Sequence, residues 1–204
     1  MTNKEHWDRV FETKSENEVS WFQLYPKTSV AFFESLNLPL DANVIDVGGG
    51  DSRLVDVLID KGYSNIYVLD ISMNALLRAK KRLGDKAVRV NWIVSDIVDF
   101  KPPVKFDFWH DRAAFHFLTT EERINKYVSI AEGAINEGGY MILGTFSEKG
   151  PEKCSGLEIK QYSETSMSKR FEKSFEKIKC ITEEHSTPFD TTQDFLFCSF
   201  RKNK

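Results

Sequence analysis

The sequence predicts an α/β fold: a doubly wound, mostly parallel sheet of seven strands, with an antiparallel C-terminal strand pair and a helical segment before the sheet. Two observations lead to this prediction. Between residues 40 and 146, short apolar runs alternate with helical patterns of roughly 10–15 residues, which is typical of parallel βαβ units covered on both faces. After residue 163, two apolar runs are joined by a polar loop, and so short a return favours an antiparallel pair.

The first 38 residues are predicted to form two helices on either side of an aromatic loop. Residues 5–14 and 27–37 carry apolar side chains at helical spacing. The loop between them, residues 16–26, includes Trp21 and Phe22. This segment precedes the first strand, so we expect it to pack against one edge of the sheet.

Five predicted parallel strands share one pattern, a short apolar run that ends at a glycine or a polar residue. They are residues 44–47, 66–69, 90–95, 106–109 and 140–146. The helices between them are predicted at residues 52–61, 72–83 and 120–136. Ser72 is a suitable N-cap for its helix. The last helix is predicted at residues 165–171, and the antiparallel strands at 175–182 and 195–200.

Composition narrows the class of protein. With 204 residues, 41% of them hydrophobic, the chain is long enough to bury a core as one α/β domain. The net charge of -3 gives no reason to expect a nucleic-acid or membrane partner. The chain has no signal-peptide pattern at its start and no apolar run of about 18 residues, so we expect a cytoplasmic protein. The oligomeric state stays open, because no coiled-coil heptad points to a partner.

The cysteines predict reduced thiols. There are three of them, Cys154, Cys180 and Cys198, which is an odd number, and none forms a CxxC pair. In a cytoplasmic protein, thiols of this kind normally stay reduced. We therefore expect no disulfide.

Polar residues cluster at the ends of the first four predicted strands. The glycine-rich turn Asp46-Val47-Gly48-Gly49-Gly50 follows the first strand, Asp70 the second, Asp96 the third and His110-Asp111-Arg112 the fourth. Parallel sheets bind ligands outside these strand ends, where the strand order reverses. Glycines let the backbone approach a ligand closely. An acid at the position of Asp70 can accept the hydroxyls of a ribose.

This order of acids and glycines resembles the class I, seven-stranded family of S-adenosylmethionine (SAM)-dependent methyltransferases. The resemblance covers residues 40–146 by motif, and residues 163–201 are similar to the family's last helix and antiparallel strands. The family pattern is an acid and three alternating glycines; Asp46, Gly48 and Gly50 match it, and Ser52 stands at the third glycine. The resemblance implies a single domain, residues 1–204. Its parts would be a helical lid (1–38), a cofactor-binding core (40–146) and a C-terminal half that completes the sheet and the acceptor pocket (147–204).

The resemblance also implies SAM as the cofactor and assigns residues to its parts. The glycine turn would lie against the methionine part, Asp70 against the ribose, Asp96 against the adenine, and His110 between cofactor and acceptor. The full set of implied cofactor contacts is Asp46, Gly48, Gly49, Gly50, Asp70, Ile71, Asp96, Ile97 and His110. A dinucleotide such as NAD fits less well, because Arg53 replaces the third glycine of its fingerprint.

The segments around this core are similar to a little-studied bacterial branch of the family. Trp7, Trp21 and Phe22 are similar to a lid shared by small methyltransferases that include protein-lysine enzymes. Aromatic faces attract the cationic sulfonium of SAM, which is a reason for them to close the pocket, although they also suit plain packing of the lid. Arg112 is expected to pair either with an anionic acceptor or with Asp111.

Catalysis requires the acceptor to lose a proton if its nucleophile is an amine, thiol or hydroxyl. His110 and Asp111 are our candidates for assisting that step, with His116 a further one, because they follow the fourth strand. We expect no metal, since the two histidines lack a third ligand at suitable spacing.

Three functions remain open from the sequence. We favour a methyltransferase with a small-molecule acceptor that the sequence does not identify. A protein-lysine methyltransferase is the alternative, and Glu12, Glu16 and Glu18 near the lid would suit an acidic groove for it. A non-catalytic SAM- or NAD-binding module is the second alternative.

Overall fold

The computed structural model describes residues 2–204. Its helices are α1 Asn3–Thr13, α2 Lys27–Glu34, α3 Leu54–Asp60, α4 Met73–Leu83, α5 Glu121–Ala134 and α6 Glu164–Phe171. Its strands are β1 Asn43–Val47, β2 Asn65–Asp70, β3 Val90–Val94, β4 Phe106–Arg112, β5 Ile135–Phe146, β6 Lys153–Cys154, β7 Leu157–Glu158, β8 Phe175–Ser186 and β9 Thr192–Lys202. No helix among the described residues is both long and apolar enough to cross a membrane.

Seven strands form one sheet in the order β3-β2-β1-β4-β5-β9-β8, and β6 and β7 form a separate two-stranded ribbon. Strands β1 to β5 pair in parallel, whereas β9 pairs antiparallel with both β5 and β8. The chain moves outward from β1 to β3 and then returns to β4 on the other side of β1. The strand order therefore reverses between β1 and β4, which is where open α/β sheets bind ligands.

Helices cover both faces of the sheet, as the doubly wound fold predicts. Helices α5 and α6 bury Tyr127 and Phe171 on one face, in a core that includes Trp109 of β4. Helices α2, α3 and α4 pack on the other face, where the core includes Phe108, the neighbour of Trp109. Because side chains alternate along a strand, β4 contributes one large aromatic ring to each core. The predicted fold class is thus confirmed.

The strand boundaries differ most from the predicted ones where the chain is polar. Strand β8 continues to Ser186 and β9 starts at Thr192, so the hairpin is longer than the two apolar runs alone. Its outer end pairs mainly polar residues, which hydrogen-bond along the backbone without an apolar signal. Strand β5 likewise begins at Ile135, before Gly138 and Gly139, and its register against β4 shifts in this region. The glycines allow this irregularity, since Gly138 has a φ of +75°.

The structure corrects the prediction of three reduced cysteines. Cys180 of β8 and Cys198 of β9 are paired in register and form a disulfide. Strand pairing brings together two residues that are 18 apart in sequence, which spacing alone does not reveal. Cys154 is free and buried, so the prediction was wrong for two of the three thiols.

Candidate active site

The ends of β1 to β4 surround a cavity of about 830 Å³ that is open to solvent. Residues from the strand ends form its base, and residues from α1 and the loop after it lie across from them. The lining includes Trp7, Phe11, Trp21, Val47, Gly48, Asp70, Ile71, Asp96, Ile97, Arg112, Ala113, Phe117, Arg123 and Cys154. We call it the strand-end cavity.

A second cavity of about 620 Å³ adjoins the first, and four residues line both: Phe11, Trp21, Gly48 and Arg112. We call it the glycine-turn cavity. Its lining also includes Ser29, Asp46, Gly49, Gly50, Arg53, His110 and Phe22. Every residue that the sequence analysis assigned to the cofactor lines one of these two cavities. The structure therefore brings that set together.

The glycine turn needs glycine for two physical reasons. Gly48 and Gly50 have φ values of +64° and +50°, in the left-handed region that side chains disfavour. A Cβ atom on Gly48 would also lie 2.4 Å from the Cβ of Ala114. On Gly49, a Cβ would lie 2.8 Å from Oδ2 of Asp46. The turn is thus packed tightly from below while its backbone remains open to the cavities.

Asp70 is a buried carboxyl at the edge of the strand-end cavity, and only 7% of it is exposed. Its Oδ1 accepts a hydrogen bond of 2.7 Å from the backbone N–H of Ser72. Burial raises the pKa of Asp70 to about 7, although backbone hydrogen bonds from Ser72 and Gly50 oppose the rise. The carboxyl therefore has little solvent of its own and is placed to accept hydroxyl groups of a ligand.

Asp96 lies at the far side of the same cavity, just after β3. One oxygen accepts from the backbone N–H of Val98 at 3.2 Å and starts a short 3₁₀ turn. The other accepts from Nη2 of Arg123 at 2.7 Å. Both contacts fix the carboxylate at the cavity wall, next to Ile97.

His110 is buried, with 2% of it exposed, and both of its ring nitrogens have partners. Nδ1 lies 2.7 Å from Oδ1 of Asp46, its register neighbour on β1, and Nε2 lies 2.9 Å from Oγ of Ser29 in α2. The second oxygen of Asp46 is buried and has no hydrogen-bond partner among residues 2–204. The imidazole thus ties β4 to β1 and α2 at the base of the glycine-turn cavity.

Four aromatic rings cover the cavities, and we call them the aromatic roof: Trp7, Phe11, Trp21 and Phe117. The centroid of the Trp7 ring lies 5.6 Å from that of Trp21 and 5.0 Å from that of Phe117. The centroids of Phe11 and Trp21 are 6.2 Å apart. Phe22 lines the glycine-turn cavity beside this roof.

Helix α1 is fastened to the sheet side by polar contacts. Oδ1 of Asp8 accepts from Oγ of Ser72 at 2.7 Å, and Nη1 of Arg78 donates to the carbonyl of Lys14 at 2.7 Å. Arg78 also pairs with Asp51 at 2.8 Å. The first part of the predicted lid is therefore closed over the strand ends.

Arg112 ends β4 and extends toward both cavities. Its Nη1 donates to the carbonyl of Trp21 at 3.0 Å, and its guanidinium carbon lies 4.8 Å from the ring centroid of Phe195. Burial lowers the pKa of Arg112 to about 10. Asp111 does not pair with it, since neighbouring side chains of a strand point to opposite faces.

Comparisons with known proteins agree with this geometry. A family model described as a methyltransferase domain matches residues 44–139. The chain is 27% identical over 164 residues to mouse EEF1A lysine methyltransferase 2, covering 70% of this chain and 65% of that protein. It is 26% identical over 107 residues to malonyl-[acyl-carrier protein] O-methyltransferase 2 of Ilyobacter polytropus, covering 52% and 40% respectively. The matched part thus spans less than two thirds of each of these relatives.

Solved structures match almost the whole chain. The N-methyltransferase NodS of Bradyrhizobium japonicum, in complex with S-adenosylhomocysteine, has a TM-score of 0.71 at 15% identity and full coverage of both chains. A structure concerning conversion of a disulfide into a thioacetal during echinomycin biosynthesis has a TM-score of 0.79 at 18% identity. It covers 98% of this chain and 93% of the other. At such identities these matches support the fold.

Residues 44–139 thus resemble a methyltransferase domain, and the chain has the fold of class I SAM-dependent methyltransferases. It shares three features with the family pattern: the glycine turn after β1, the carboxyl of Asp70 at the end of β2, and the carboxyl of Asp96 after β3.

Asp111 supports the turn after β4 and lines neither cavity. It is fully buried. Oδ1 accepts from the backbone N–H groups of Ala114 and Phe115 at 3.0 and 3.1 Å, and Oδ2 accepts from the hydroxyl of Tyr127 at 2.8 Å. Burial raises the pKa of Asp111 to about 6, against these hydrogen bonds. Its contacts hold Ala113, which has a φ of +67°, at the cavity wall.

His116 is also fully buried, and burial lowers its pKa to about 3. Its Nδ1 accepts from the backbone N–H of Phe146 at 3.3 Å, so the ring is neutral and lies under β5. In the part of the chain that the structure describes, no group of three or more histidine, cysteine or acidic side chains is placed to hold a metal.

Several residues of the candidate site were missed by the sequence analysis. Phe11 and Phe117 complete the aromatic roof, Arg123 holds Asp96, and Ser29 holds His110. A helical face shared with Trp7 was a signal for Phe11. For the other three, the contact depends on how α2, α5 and the turn after β4 pack, and sequence spacing carries no signal of it.

The three acids near the lid do not form one acidic groove. Glu16 is paired with Arg53, with oxygen–nitrogen distances of 2.8 and 2.9 Å, and Glu18 accepts from the backbone N–H of Ser15 at 2.9 Å. Glu12 is exposed on α1. Two of the three carboxylates thus serve local structure.

Proposed function

We propose that this protein binds SAM across the two cavities and transfers its methyl group to a small-molecule acceptor under the aromatic roof. The adenine would lie by Asp96 and Ile97, the ribose by Asp70, and the methionine part along the turn from Asp46 to Gly50. The observation that carries this proposal is that all of these residues line the two adjoining cavities beneath the aromatic roof.

The residues present fit that cofactor. Asp70 is a buried hydrogen-bond acceptor that lines the strand-end cavity. The absence of a side chain at Gly50 keeps its Oδ2 accessible, because a Cβ there would lie 3.3 Å from that oxygen. The unpartnered Oδ2 of Asp46 is an acceptor near the place of the amino group. Ile71 and Ile97 provide apolar contact on the ribose and adenine sides.

The chain would contribute mainly position and exclusion of water. Bound SAM supplies a methyl group on a sulfonium, which is cationic and a good leaving group. The ring faces of Trp7 and Trp21 attract a cation and keep water from the cavity. Alignment of an acceptor lone pair with the methyl group accounts for much of the rate gain in reactions of this kind.

We propose that His110 and Asp111 act as positioning residues and not as general bases. Both ring nitrogens of His110 have protein partners, and both oxygens of Asp111 accept protein hydrogen bonds away from the cavity. The acceptor would then lose its proton to solvent, either in the cavity or before it binds. In variant H110N, the expected loss is mainly in SAM affinity, with little change in the pH profile of turnover.

A protein-lysine acceptor is the second candidate function. It is favoured by the relative named EEF1A lysine methyltransferase 2, which aligns with 70% of this chain. Against it stand the occupied carboxylates of Glu16 and Glu18 and the cation Arg112 in the cavity, because a lysine acceptor binds best beside acidic groups. A non-catalytic SAM- or NAD-binding module is the third candidate.

Two measurements test this proposal. Calorimetry with SAM, S-adenosylhomocysteine and NAD should give binding of the first two only, and D70A should lose it while the exposed-site control D85A keeps it. Incubation of a cell lysate with the protein and methyl-labelled SAM should then label the metabolite fraction. Label in the protein fraction would favour the lysine candidate, and binding of NAD without SAM would refute the proposal.

A further inference from the structure

Arg112 differs from the other two arginines that line the cavities. Arg53 is paired with Glu16 at 2.8 Å, and Arg123 with Asp96 at 2.7 Å. Among residues 2–204, no carboxylate oxygen lies within 4.0 Å of a nitrogen of Arg112. It is therefore the cavity arginine whose charge has no protein counter-ion in contact.

The guanidinium is nevertheless held in one orientation. Its face lies over the ring of Phe195, and Nη1 donates to the carbonyl of Trp21. Nε is buried and has no acceptor in the part of the chain that the structure describes. Since a guanidinium carries five N–H donors in a rigid fork and Trp21 takes only one of them, N–H groups of the two Nη atoms remain for a ligand.

The guanidinium is half-buried in the wall of the two cavities. A charge that is partly removed from water is stabilised by a counter-ion in contact. The pKa of Arg112, lowered by burial to about 10, still keeps the group charged at neutral pH. Glu183 and Asp46 act on Arg112 from beyond 4.0 Å and oppose the lowering of its pKa. An anionic oxygen group in the cavity would add a counter-charge in contact and further hydrogen bonds.

We propose that Arg112 binds a carboxylate, or a comparable anionic oxygen group, of the methyl acceptor, which makes the preferred acceptors acidic small molecules. This inference rests on the proposed function. The methionine part of the cofactor would have the glycine turn and Asp46 as its neighbours. Arg112 ends β4 and lines both cavities, and it shares the strand-end cavity with Cys154 of the C-terminal half.

Charge also favours this kind of acceptor. The cofactor brings a sulfonium into the same space, and two cations in a covered cavity repel each other. An acceptor with a negative group relieves the repulsion, whereas a lysine side chain that enters as an ammonium group adds a third positive charge until it loses its proton. Arg112 thus favours the binding of acidic small molecules over that of cationic side chains.

SAM has a carboxylate of its own. The first experiment therefore asks whether Arg112 binds the carboxylate of SAM or that of the acceptor. Calorimetry compares SAM with decarboxylated SAM on the wild type, R112Q and R112K. We expect the preference for SAM to change less than about twofold in R112Q, because Arg112 serves the acceptor. If that preference disappears in R112Q, the arginine holds the cofactor's carboxylate and the inference is overturned.

The second experiment tests the acceptor side. Protein saturated with S-adenosylhomocysteine is titrated with benzoate, phenylacetate and 3-phenylpropionate, each beside its own carboxamide. We expect at least one acid to bind about tenfold tighter than its amide, as a charge-assisted bidentate contact provides. R112Q should abolish the difference and R112K should keep part of it, while R89Q, which removes an exposed arginine, should leave it unchanged.

The outcomes keep the two proposals apart. Equal binding of acids and amides by the wild type, including no binding of either, overturns the inference about Arg112, and so does an undiminished difference in R112Q. If R112Q does not fold, a difference in R112K as large as that of the wild type has the same meaning. Failure of the wild type to bind S-adenosylhomocysteine overturns the proposed function instead.

Discussion

At the scale of single residues, the buried carboxyl of Asp70 is expected to favour SAM binding and to lower the stability of the folded protein. Its ordinary pKa of 3.8 is raised to about 7 in the folded protein. Between these values, the unfolded chain has lost a proton that the folded protein retains, so this group lowers the free energy of unfolding as the pH rises. We expect D70N to raise that free energy by about 2 kcal/mol at about pH 8 and to weaken SAM binding by about tenfold. Urea denaturation and calorimetry measure the two effects, and a less stable D70N would contradict the first.

The same carboxyl predicts a pH dependence of cofactor affinity. Ribose hydroxyls donate to an ionised carboxylate, and the proton on Asp70 occupies one of its oxygens below about pH 7. The dissociation constant for SAM should therefore fall as the pH rises through about 7, as calorimetry in matched buffers would measure. In D70N this trend should be absent, and an equal trend there would assign it to another group.

Gly48 tests the tightness of the turn. In G48A the new Cβ combines a φ of +64° with a 2.4 Å approach to Ala114. We expect a loss of about 2–4 kcal/mol of folding stability and a large loss of SAM affinity. Gly84 is a matched control, because its φ is +55° and nothing lies within 4 Å of its Cβ position. G84A should lose about 1 kcal/mol and bind SAM normally; similar losses in both variants would exclude the clash as the cause.

Residues of the site differ in how far the sequence predicts them. Asp70 and Asp96 directly follow apolar strands, so their location at a shared sheet edge follows from strand order alone. Arg123 was not predictable, since it reaches Asp96 from a helix 27 residues later. The role of Asp111 was not predictable either, because its strand-end position suggests a cavity contact while its side chain points the other way.

At the scale of elements, α1 depends on its attachment to α4. Arg78 donates to the carbonyls of Phe11 and Lys14 at the end of α1 and pairs with Asp51. Replacing it in R78Q should free this end of the lid. We expect faster hydrogen exchange over residues 3–14 and SAM affinity reduced by about three- to tenfold, since roof residues would be less well placed. K81Q removes an exposed charge from the same helix and should change neither; unchanged exchange in R78Q would refute the attachment.

Elements were predictable where burial marks them. Strands β1 to β4 have apolar runs because helices cover both faces, and α4 has a clear N-cap in Ser72. The ribbon of β6 and β7 has two residues in each strand and leaves no periodic pattern. The outer end of the β8–β9 hairpin likewise leaves no apolar pattern, because mainly polar residues are paired there.

At the scale of the whole molecule, the disulfide links the two strands that complete the sheet. Closing a loop across 18 residues stabilises a folded chain by about 3 kcal/mol through the unfolded state. Dithiothreitol should therefore lower the free energy of unfolding of the wild type by about that amount. The double variant C180A/C198A should not respond to it. Equal unfolding curves of the wild type with and without the reductant would contradict the linkage.

The topology of the molecule makes one place suitable for a ligand. The order β3-β2-β1-β4 collects the polar ends of four strands, and the lid covers the same edge. The location of the ligand site at this edge of the sheet was predictable from the alternation of strands and helices. The acceptor preference was not, because it depends on whether Arg112 has a counter-ion, which only the packed molecule reveals.

The contact between Arg112 and the lid uses the carbonyl oxygen of Trp21, which every amino acid carries. The indole at this position can therefore be exchanged for a side chain of another shape without loss of the hydrogen bond. A mutation at position 21 can consequently change the shape of the roof's inner surface while the hydrogen bond that holds the roof to Arg112 is kept. Position 21 is thus the natural place to re-engineer the range of acceptors while the closure itself is preserved.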